Sequence, residues 1–213
     1  MLKIIPGHQM AEFPDIVDQM FKLRARVFDG RLGWDVRVSN GHERDRFDDL
    51  EPLYAVSVDE HDRVLGTFRL LQTTGPTMLR DVFSACLPDG LDIQSPLIWE
   101  STRFCVDTAL AKARGDHGLA EITSELLAGL LEIGVAAGLS YIVTVVDVRM
   151  ERILRRADCP IERLGNPVSI GNVSTLAIFM ETTPETVARL HAKNRLLHPA
   201  LGAMERAKLP QAA

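Results

Sequence analysis

Arg24 to Asp48 reads RARVFDGRLGWDVRVSNGHERDRFD. Just upstream and into this stretch, Val17, Met20, Phe21, Val27 and Phe28 recur at steps of three and four, the apolar stripe of an amphipathic helix. The spacing predicts a helix over Phe13–Arg31, with Gly33 marking the break near its end. Arg24 falls in the middle of the stripe, four positions after Met20 and four before Phe28. Leaving a lone guanidinium desolvated costs several kcal/mol. Two outcomes are open. Arg24 snorkels to water along its own stem, or it is paired by the carboxylates Glu43, Asp45 and Asp48, about twenty residues on. The polar segment Val36–Leu50 that carries them exceeds a tight connection, and loops of that length commonly serve as lids or binding loops.

Outward from this stretch the chain alternates strands and helices. Leu53–Asp59 and Val64–Leu71 are predicted to pair as a hairpin about the turn Glu60–Arg63. In the second strand Arg69 shares a face with Leu65, Thr67 and Leu71, a second arginine among apolar neighbours. Met78–Phe83 reads as a short helix. Leu97–Asp107 reads as a strand that puts Glu100 on one face with Ile98, Thr102 and Phe104, and Trp99 and Arg103 on the other. A bulge would break that alternation. Gly118–Gly138 reads as a long buried helix with Leu119, Ile122, Leu126, Leu127, Leu130 and Ile133 inward. Ser140–Val146 is an interior strand, Val148–Ala157 a basic amphipathic helix and Val173–Met180 another strand. Thr183 caps a last helix, with Pro184 at its first position, that runs to about Leu197. The tail, 199–213, is rich in small residues and expected to fray. The order implies a single α/β domain over 1–213, with helices packed on a mixed, largely antiparallel central sheet.

Composition excludes several classes. A formal net charge of -5 argues against a nucleic-acid binder that relies on bulk positive potential. Cys86, Cys105 and Cys159 form no C-x-x-C pair, which suits a reducing compartment and offers no zinc framework. The opening MLKIIPGH is too short an apolar run for a signal peptide, and no later run approaches a membrane span. A cytoplasmic protein with no membrane partner is the expectation.

The chemistry lies in scattered charges. Carboxylates of buried type (Glu43, Asp45, Asp48, Glu100) and arginines (Arg24, Arg69, Arg103) imply a charged network inside an apolar fold. Such a network either poises a general base or is purely structural. A metal site at Glu43, Asp45 and Asp48 is disfavoured, because no histidine stands at helical spacing and the arginines compete with a cation. His42 reads as solvated. The chain has no G-x-S-x-G elbow and no P-loop.

Arg24, Phe28 and Trp34, then E-R-D-R-F-D (Glu43 to Asp48), F-R-L-L-Q-T-T-G-P-T-M-L (Phe68 to Leu79) and W-E-S-T-R-F (Trp99 to Phe104), resemble the acyl-homoserine-lactone synthases in order and spacing. These are the LuxI-type autoinducer synthases of bacterial quorum sensing. The resemblance extends from the N-terminus to about Leu197. It departs at Gln72 and Ser84, where proline is common, and neither position touches the charged set.

The resemblance implies a fold similar to the GNAT acyltransferases, with residues 1–50 forming an N-terminal helix and a loop that covers S-adenosylmethionine (SAM). SAM is then a substrate, and no cofactor is implied. Its amine attacks the thioester of an acyl-carrier protein or acyl-CoA. Its carboxylate then closes the lactone and releases methylthioadenosine. Glu100 is the implied base, directly or through a water, with Thr102 as a neighbouring hydroxyl, and backbone N–H groups of the same strand would meet the thioester oxyanion. Arg103 would hold the SAM carboxylate, and Phe28, Trp34 and Phe104 would offer aromatic surface to adenine and the sulfonium. Arg24, Glu43, Asp45, Asp48 and Arg69 form the implied ion-pair set. Leu126, Thr144, Val146 and Met150 would line the acyl tunnel, with Thr144 or Val146 biasing the choice at the 3-position. Arg149, Arg152, Arg155 and Arg156 would steer an acidic carrier protein, unless they are only a solvated face. Two rivals remain: another N-acyltransferase using acyl-CoA, for which R-G-D-H-G-L-A has Arg114 one place too early, and a non-enzymatic small-molecule binder.

Overall fold

Residues 1–211 are described by a computed structural model of the chain. In chain order the elements are β1 (Leu2–Pro6), α1 (Pro14–Ala25), β2 (Val38–Ser39), β3 (His42–Glu43), β4 (Leu53–Val58), β5 (Val64–Gln72), α2 (Met78–Asp81), β6 (Ile98–Val106), α3 (Thr108–Ala113), α4 (Gly118–Ala137), β7 (Tyr141–Asp147), α5 (Val148–Arg156), β8 (Ile161–Arg163), β9 (Val168–Ile170), β10 (Val173–Glu181), α6 (Pro184–Asn194) and α7 (Ala203–Arg206).

These elements divide into two compact units. The first comprises Met1–Arg69, Arg103–Gly129 and Ala200–Lys208, and the second is built mainly from Leu70–Thr102 and Leu130–Pro199. β5, β6 and α4 each pass from one unit into the other. In the first unit the strand order is β1-β4-β5-β6, and β1 pairs with β4 antiparallel from Leu2↔Ser57 to Pro6↔Leu53. Its core joins the apolar side of α1 (Ile16, Met20, Phe21, Leu23) to Ile5, Tyr54, Val56 and Val64 from the strands. β5 passes α4 so closely that a Cβ on Gly66 would sit 2.7 Å from Leu126 Cδ1 and 2.9 Å from the Cys105 carbonyl oxygen, so only glycine fits there.

In the second unit the order is β6-β7-β10-β8, with β9 also on β10. β6 and β7 pair in parallel from Ile98↔Tyr141 to Ser101↔Thr144, whereas β10 runs antiparallel to β7, β8 and β9. Leu79, Cys86, Ile93, Val143 and Ala177 form a buried cluster in this unit.

Several expectations change in detail. α1 is α-helical only to Ala25, and a π-helical turn, Arg26–Arg31, completes the predicted length. Val36–Leu50 is not an irregular loop: β2 and β3 form a small hairpin, followed by a 3₁₀ turn, Arg46–Leu50. Leu119, predicted inward, is 47% exposed, because it lies in the first turn of α4 before the buried stripe of Ile122, Leu126 and Leu130 begins. α3, β8 and β9 were not foreseen. They are too short to show a period. Strict alternation along β6 also fails, since Arg103 takes a left-handed backbone with φ 56°. After Pro199, where fraying was expected, Leu201 and Leu209 are buried, and the Ile4 amide donates to Glu205 Oε2 at 2.6 Å.

Candidate active site

Arg24 does not reach water. Its side chain is 1% exposed. Nε donates to Glu43 Oε2 at 2.6 Å, and Nη1 and Nη2 donate to the two oxygens of Asp48 at 2.8 and 2.9 Å. Arg69, also fully buried, donates through Nη1 to Asp45 Oδ1 at 2.6 Å and Asp48 Oδ1 at 2.8 Å, and through Nη2 to Asp45 Oδ2 at 3.0 Å. Arg103 Nη2 lies 3.0 Å from Glu43 Oε1 and 2.7 Å from Asp45 Oδ2. The Tyr54 hydroxyl donates to Asp48 Oδ1 at 2.7 Å. Three guanidinium groups thus face three carboxylates, so the formal charges cancel. Among the described residues no buried side-chain nitrogen or oxygen lacks a partner.

The local sequence explains how the carboxylates come together. Asp45 caps the 3₁₀ turn by accepting from the Phe47 amide, while Asp48 Oδ2 accepts from the Asp45 amide, a reciprocal capping box. The groups that fold the turn are therefore the groups that hold the arginines. Aromatic rings close the arginine sides: Arg24 lies 5.0 Å from the Phe21 ring centre, Arg69 5.7 Å from Phe47 and Arg103 5.2 Å from Phe28.

Electrostatics follow from this geometry. Burial alone would raise the Asp48 carboxyl pKa, but the hydrogen bond from Arg24 and the charges of Arg24 and Arg69 outweigh it and hold Asp48 well below the usual carboxylate range. Burial likewise opposes the charge on Arg24, and its bonds to Asp48 and Glu43 prevail, leaving the guanidinium more basic than usual. Burial, and then the Asp48 charge, push the Tyr54 phenol up.

Beside the network, the Trp34 amide donates to the Phe28 carbonyl at 2.8 Å and the two rings stack with centroids 5.2 Å apart. Phe28 is buried and Trp34 is 37% exposed, so the indole offers an open face on a fixed base.

Glu100 lies in the second unit, on β6, and is fully buried. Its Oε2 accepts from the Met78 amide at 2.8 Å and its Oε1 from the Leu79 amide at 2.6 Å. Those amides open α2, where Thr77 is the N-cap, so a carboxylate from a strand occupies the helix N-terminus. These two bonds fix the plane of the Glu100 carboxyl group against the first turn of α2.

The autoinducer synthase family model matches residues 8–190. The chain belongs to the autoinducer synthase family. A probable acyl-homoserine-lactone synthase of Sinorhizobium fredii is 47% identical over 174 residues, 81% of this chain and 83% of the relative. The solved acyl-homoserine-lactone synthase LasI superposes with a TM-score of 0.80 at 31% identity, covering 90% of this chain and 94% of LasI. The CoA-dependent acyl-homoserine-lactone synthase BjaI, solved with SAM and isopentyl-CoA, gives 0.80 at 25% identity over 93% and 91% of the two chains. An acyl-CoA N-acyltransferase from Pseudomonas aeruginosa matches in fold alone, with a TM-score of 0.50 at 12% identity over 84% and 97%. The fold is GNAT-like, and the activity is that of an acyl-homoserine-lactone synthase, an acyltransferase that makes a quorum-sensing signal.

The remaining candidate residues of this autoinducer synthase fall into place unevenly. Arg24, Glu43, Asp45, Asp48 and Arg69 come together. Arg103, which the resemblance assigned to the SAM carboxylate and which was also read into the charged network, has a left-handed backbone and pairs with Glu43 and Asp45. Tyr54 was missed, and its only signal was a polar aromatic in the apolar strand LYAVSV. Phe104 stacks on Phe68, centroids 6.2 Å apart and planes at 8°. Thr102 is half-buried. Leu126 and Thr144 are buried, while Val146, on the same face of β7 as Thr144, and Met150 are half-buried. Of the α5 arginines, all exposed, Arg155 is engaged by Glu151, which also takes Arg163. His42 lies 2.9 Å from Asp18. A cavity of about 290 Å³ among Tyr141, Pro160, Ile161, Glu162 and Phe179 contains none of these candidates.

Proposed function

We propose that this synthase uses SAM as its amine substrate and an acyl thioester as donor, with Glu100 as the base. The observation that carries the base assignment is the fully buried Glu100 carboxylate, held in one plane by two backbone amides. The SAM ammonium gives a proton to Glu100, directly or through a water, and the freed amine attacks the thioester carbon. The carbon–sulfur bond of the donor breaks and its thiol leaves with a proton. Backbone N–H groups of β6 meet the transient oxyanion, and Thr102 is the nearby hydroxyl. The SAM carboxylate then attacks its own carbon beside the sulfonium, which closes the lactone and expels methylthioadenosine.

Phe28, Trp34 and Phe104 are proposed to meet the adenine and the sulfonium, supported by the partly open indole stacked on Phe28. The closed network of Arg24, Glu43, Asp45, Asp48, Arg69 and Arg103 orders the segment that carries them. Arg103 pairs with Glu43 and Asp45, and its role at the SAM carboxylate is proposed beside that pairing. Leu126, Thr144, Val146 and Met150 are proposed for the acyl chain, and Thr144 alone of these could hydrogen-bond a 3-oxo group.

Two donors are in view. Acyl-CoA is supported by the likeness to BjaI, a CoA-dependent synthase, and an acyl-carrier protein by the exposed arginines of α5. Cytoplasmic residence is proposed with either donor. Among the described residues no helix is long and apolar enough to cross a membrane. The test is Glu100→Gln, which keeps the volume, removes the base and gives up one of the two hydrogen bonds from the Met78 and Leu79 amides. Turnover is expected to fall by about 10²–10⁴ with SAM affinity little changed, and near-normal turnover would overturn the assignment.

A further inference from the structure

The segment between β5 and β6, in the second unit, is gathered around Arg80 of α2. Its Nε donates to Asp92 Oδ1 at 2.9 Å and its Nη1 to the Gly75 carbonyl at 2.8 Å. Nη2 donates to the Thr73 carbonyl at 3.2 Å and the Ile93 carbonyl at 3.1 Å. Three of these four bonds end on backbone carbonyls on either side of α2. The Thr73 hydroxyl in turn reaches the Ile98 carbonyl at 2.7 Å, two residues before Glu100 on β6. The Arg80 amide also donates to the capping Thr77 oxygen at 3.3 Å.

We propose that Arg80 is the positioning residue for Glu100: its guanidinium fixes the single turn of α2 whose amides hold the Glu100 carboxylate. The inference rests on the reading of Glu100 as the base. α2 spans only Met78–Asp81, and a helix of one turn has too few internal hydrogen bonds to hold itself in place. Met78 and Leu79 bury it on one side, and the bond set around Arg80 and the grip of Glu100 on its first amides fix it on the other. These are joined in a circuit: Glu100 to Met78 and Leu79, along the turn to Arg80, across to Thr73, and back through Ile98 to the strand of Glu100. A planar guanidinium carries five donors in a fixed fork, and that shape reaches carbonyls in three directions. An ammonium presents its donors from one point and cannot replace it.

The experiment is a kinetic double-mutant cycle on the full chain, with Glu100→Gln crossed against Arg80→Met and Arg80→Lys, followed by single-turnover release of the donor thiol, which reports acyl transfer, and by the steady-state KM for SAM. Arg80→Met is expected to lower the acyl-transfer rate about tenfold or more through misplacement of the base, with the KM for SAM unchanged within about twofold. Arg80→Lys is expected to restore little of the loss. In the Glu100→Gln background either change at Arg80 is expected to cost less than about twofold, because there is no base left to misplace. Thermal melting of each variant separates lost turnover from lost fold. If Arg80→Met melts without cooperativity, Arg80→Lys carries the cycle. Equal losses in both backgrounds, or normal turnover in a folded Arg80 variant, overturn the proposal. Near-normal turnover of Glu100→Gln alone instead overturns the base assignment on which it rests, whatever Arg80 does.

Discussion

Arg24 and Asp48, twenty-four positions apart, meet as a bidentate pair with both guanidinium nitrogens 2.8 and 2.9 Å from the two carboxylate oxygens. The pair joins the last turn of α1 to the end of the segment that follows it, and both side chains are buried. A charge placed on an apolar helical stripe is tolerable only because its counter-charges are folded over it. The capping box of Asp45 and Asp48 supplies them in the right place.

Removing one member strands the others. Arg24→Met leaves Glu43 and Asp48 short of a cation in a buried site, and a loss of about 3–5 kcal/mol in unfolding free energy is expected. The double change Arg24→Met with Asp48→Asn is expected to cost clearly less than the two singles summed. Denaturant melts of the four proteins check this, and strict additivity would show that the pair is not coupled. SAM affinity is expected to fall with stability, since the same segment carries Trp34.

Much of this was legible in the sequence. Arg24 stood out as a charge in the middle of a periodic stripe, and pairing with the three carboxylates downstream was one of the two outcomes open to it. What stayed hidden depends on backbone detail that periodicity does not encode. The alternation of β6 could not reveal that Arg103 takes a left-handed backbone, which breaks the assignment of its neighbours to two faces. Tyr54 looked like any strand aromatic until the chain brought Asp48 to its hydroxyl. The short helix at Met78 was read from the sequence, but nothing there showed that its first two amides donate to Glu100.

Glu151 gives a dependence on pH. Hydrogen bonding from Arg163, against the cost of burial, and then from Arg155, lowers its carboxyl pKa to about 2 from the ordinary 4.5. A folded pKa below the unfolded one means stability that is fully present above about pH 4.5 and lost as pH falls through about 2. The melting-temperature difference between the wild type and Glu151→Gln is therefore expected to be constant above pH 5 and to shrink toward zero near pH 2. A difference that stays the same down to about pH 2 would show that the pairing contributes nothing.

The arginines of α5 divide into two roles. Arg155 is tied to Glu151, whereas no ion pair is seen for the exposed Arg149, Arg152 and Arg156 among the described residues. Reversing Arg149 and Arg152 together is expected to raise the KM for an acyl-carrier protein several-fold and leave that for SAM alone, and added salt should weaken the wild type in the same sense. Reversing Arg155 should lower the melting temperature as well. An unchanged KM for the carrier in the Arg149/Arg152 variant would mean that this face is merely solvated.

The most direct measurement is release of methylthioadenosine from SAM by the purified protein, with acyl-carrier protein and acyl-CoA donors of several chain lengths supplied in parallel. Methylthioadenosine is expected to appear only when a thioester is present, in step with an acyl-homoserine lactone identified by mass, and the preferred thioester names the donor. Tight SAM binding with no methylthioadenosine from any donor would contradict the synthase chemistry and leave a small-molecule binder in its place.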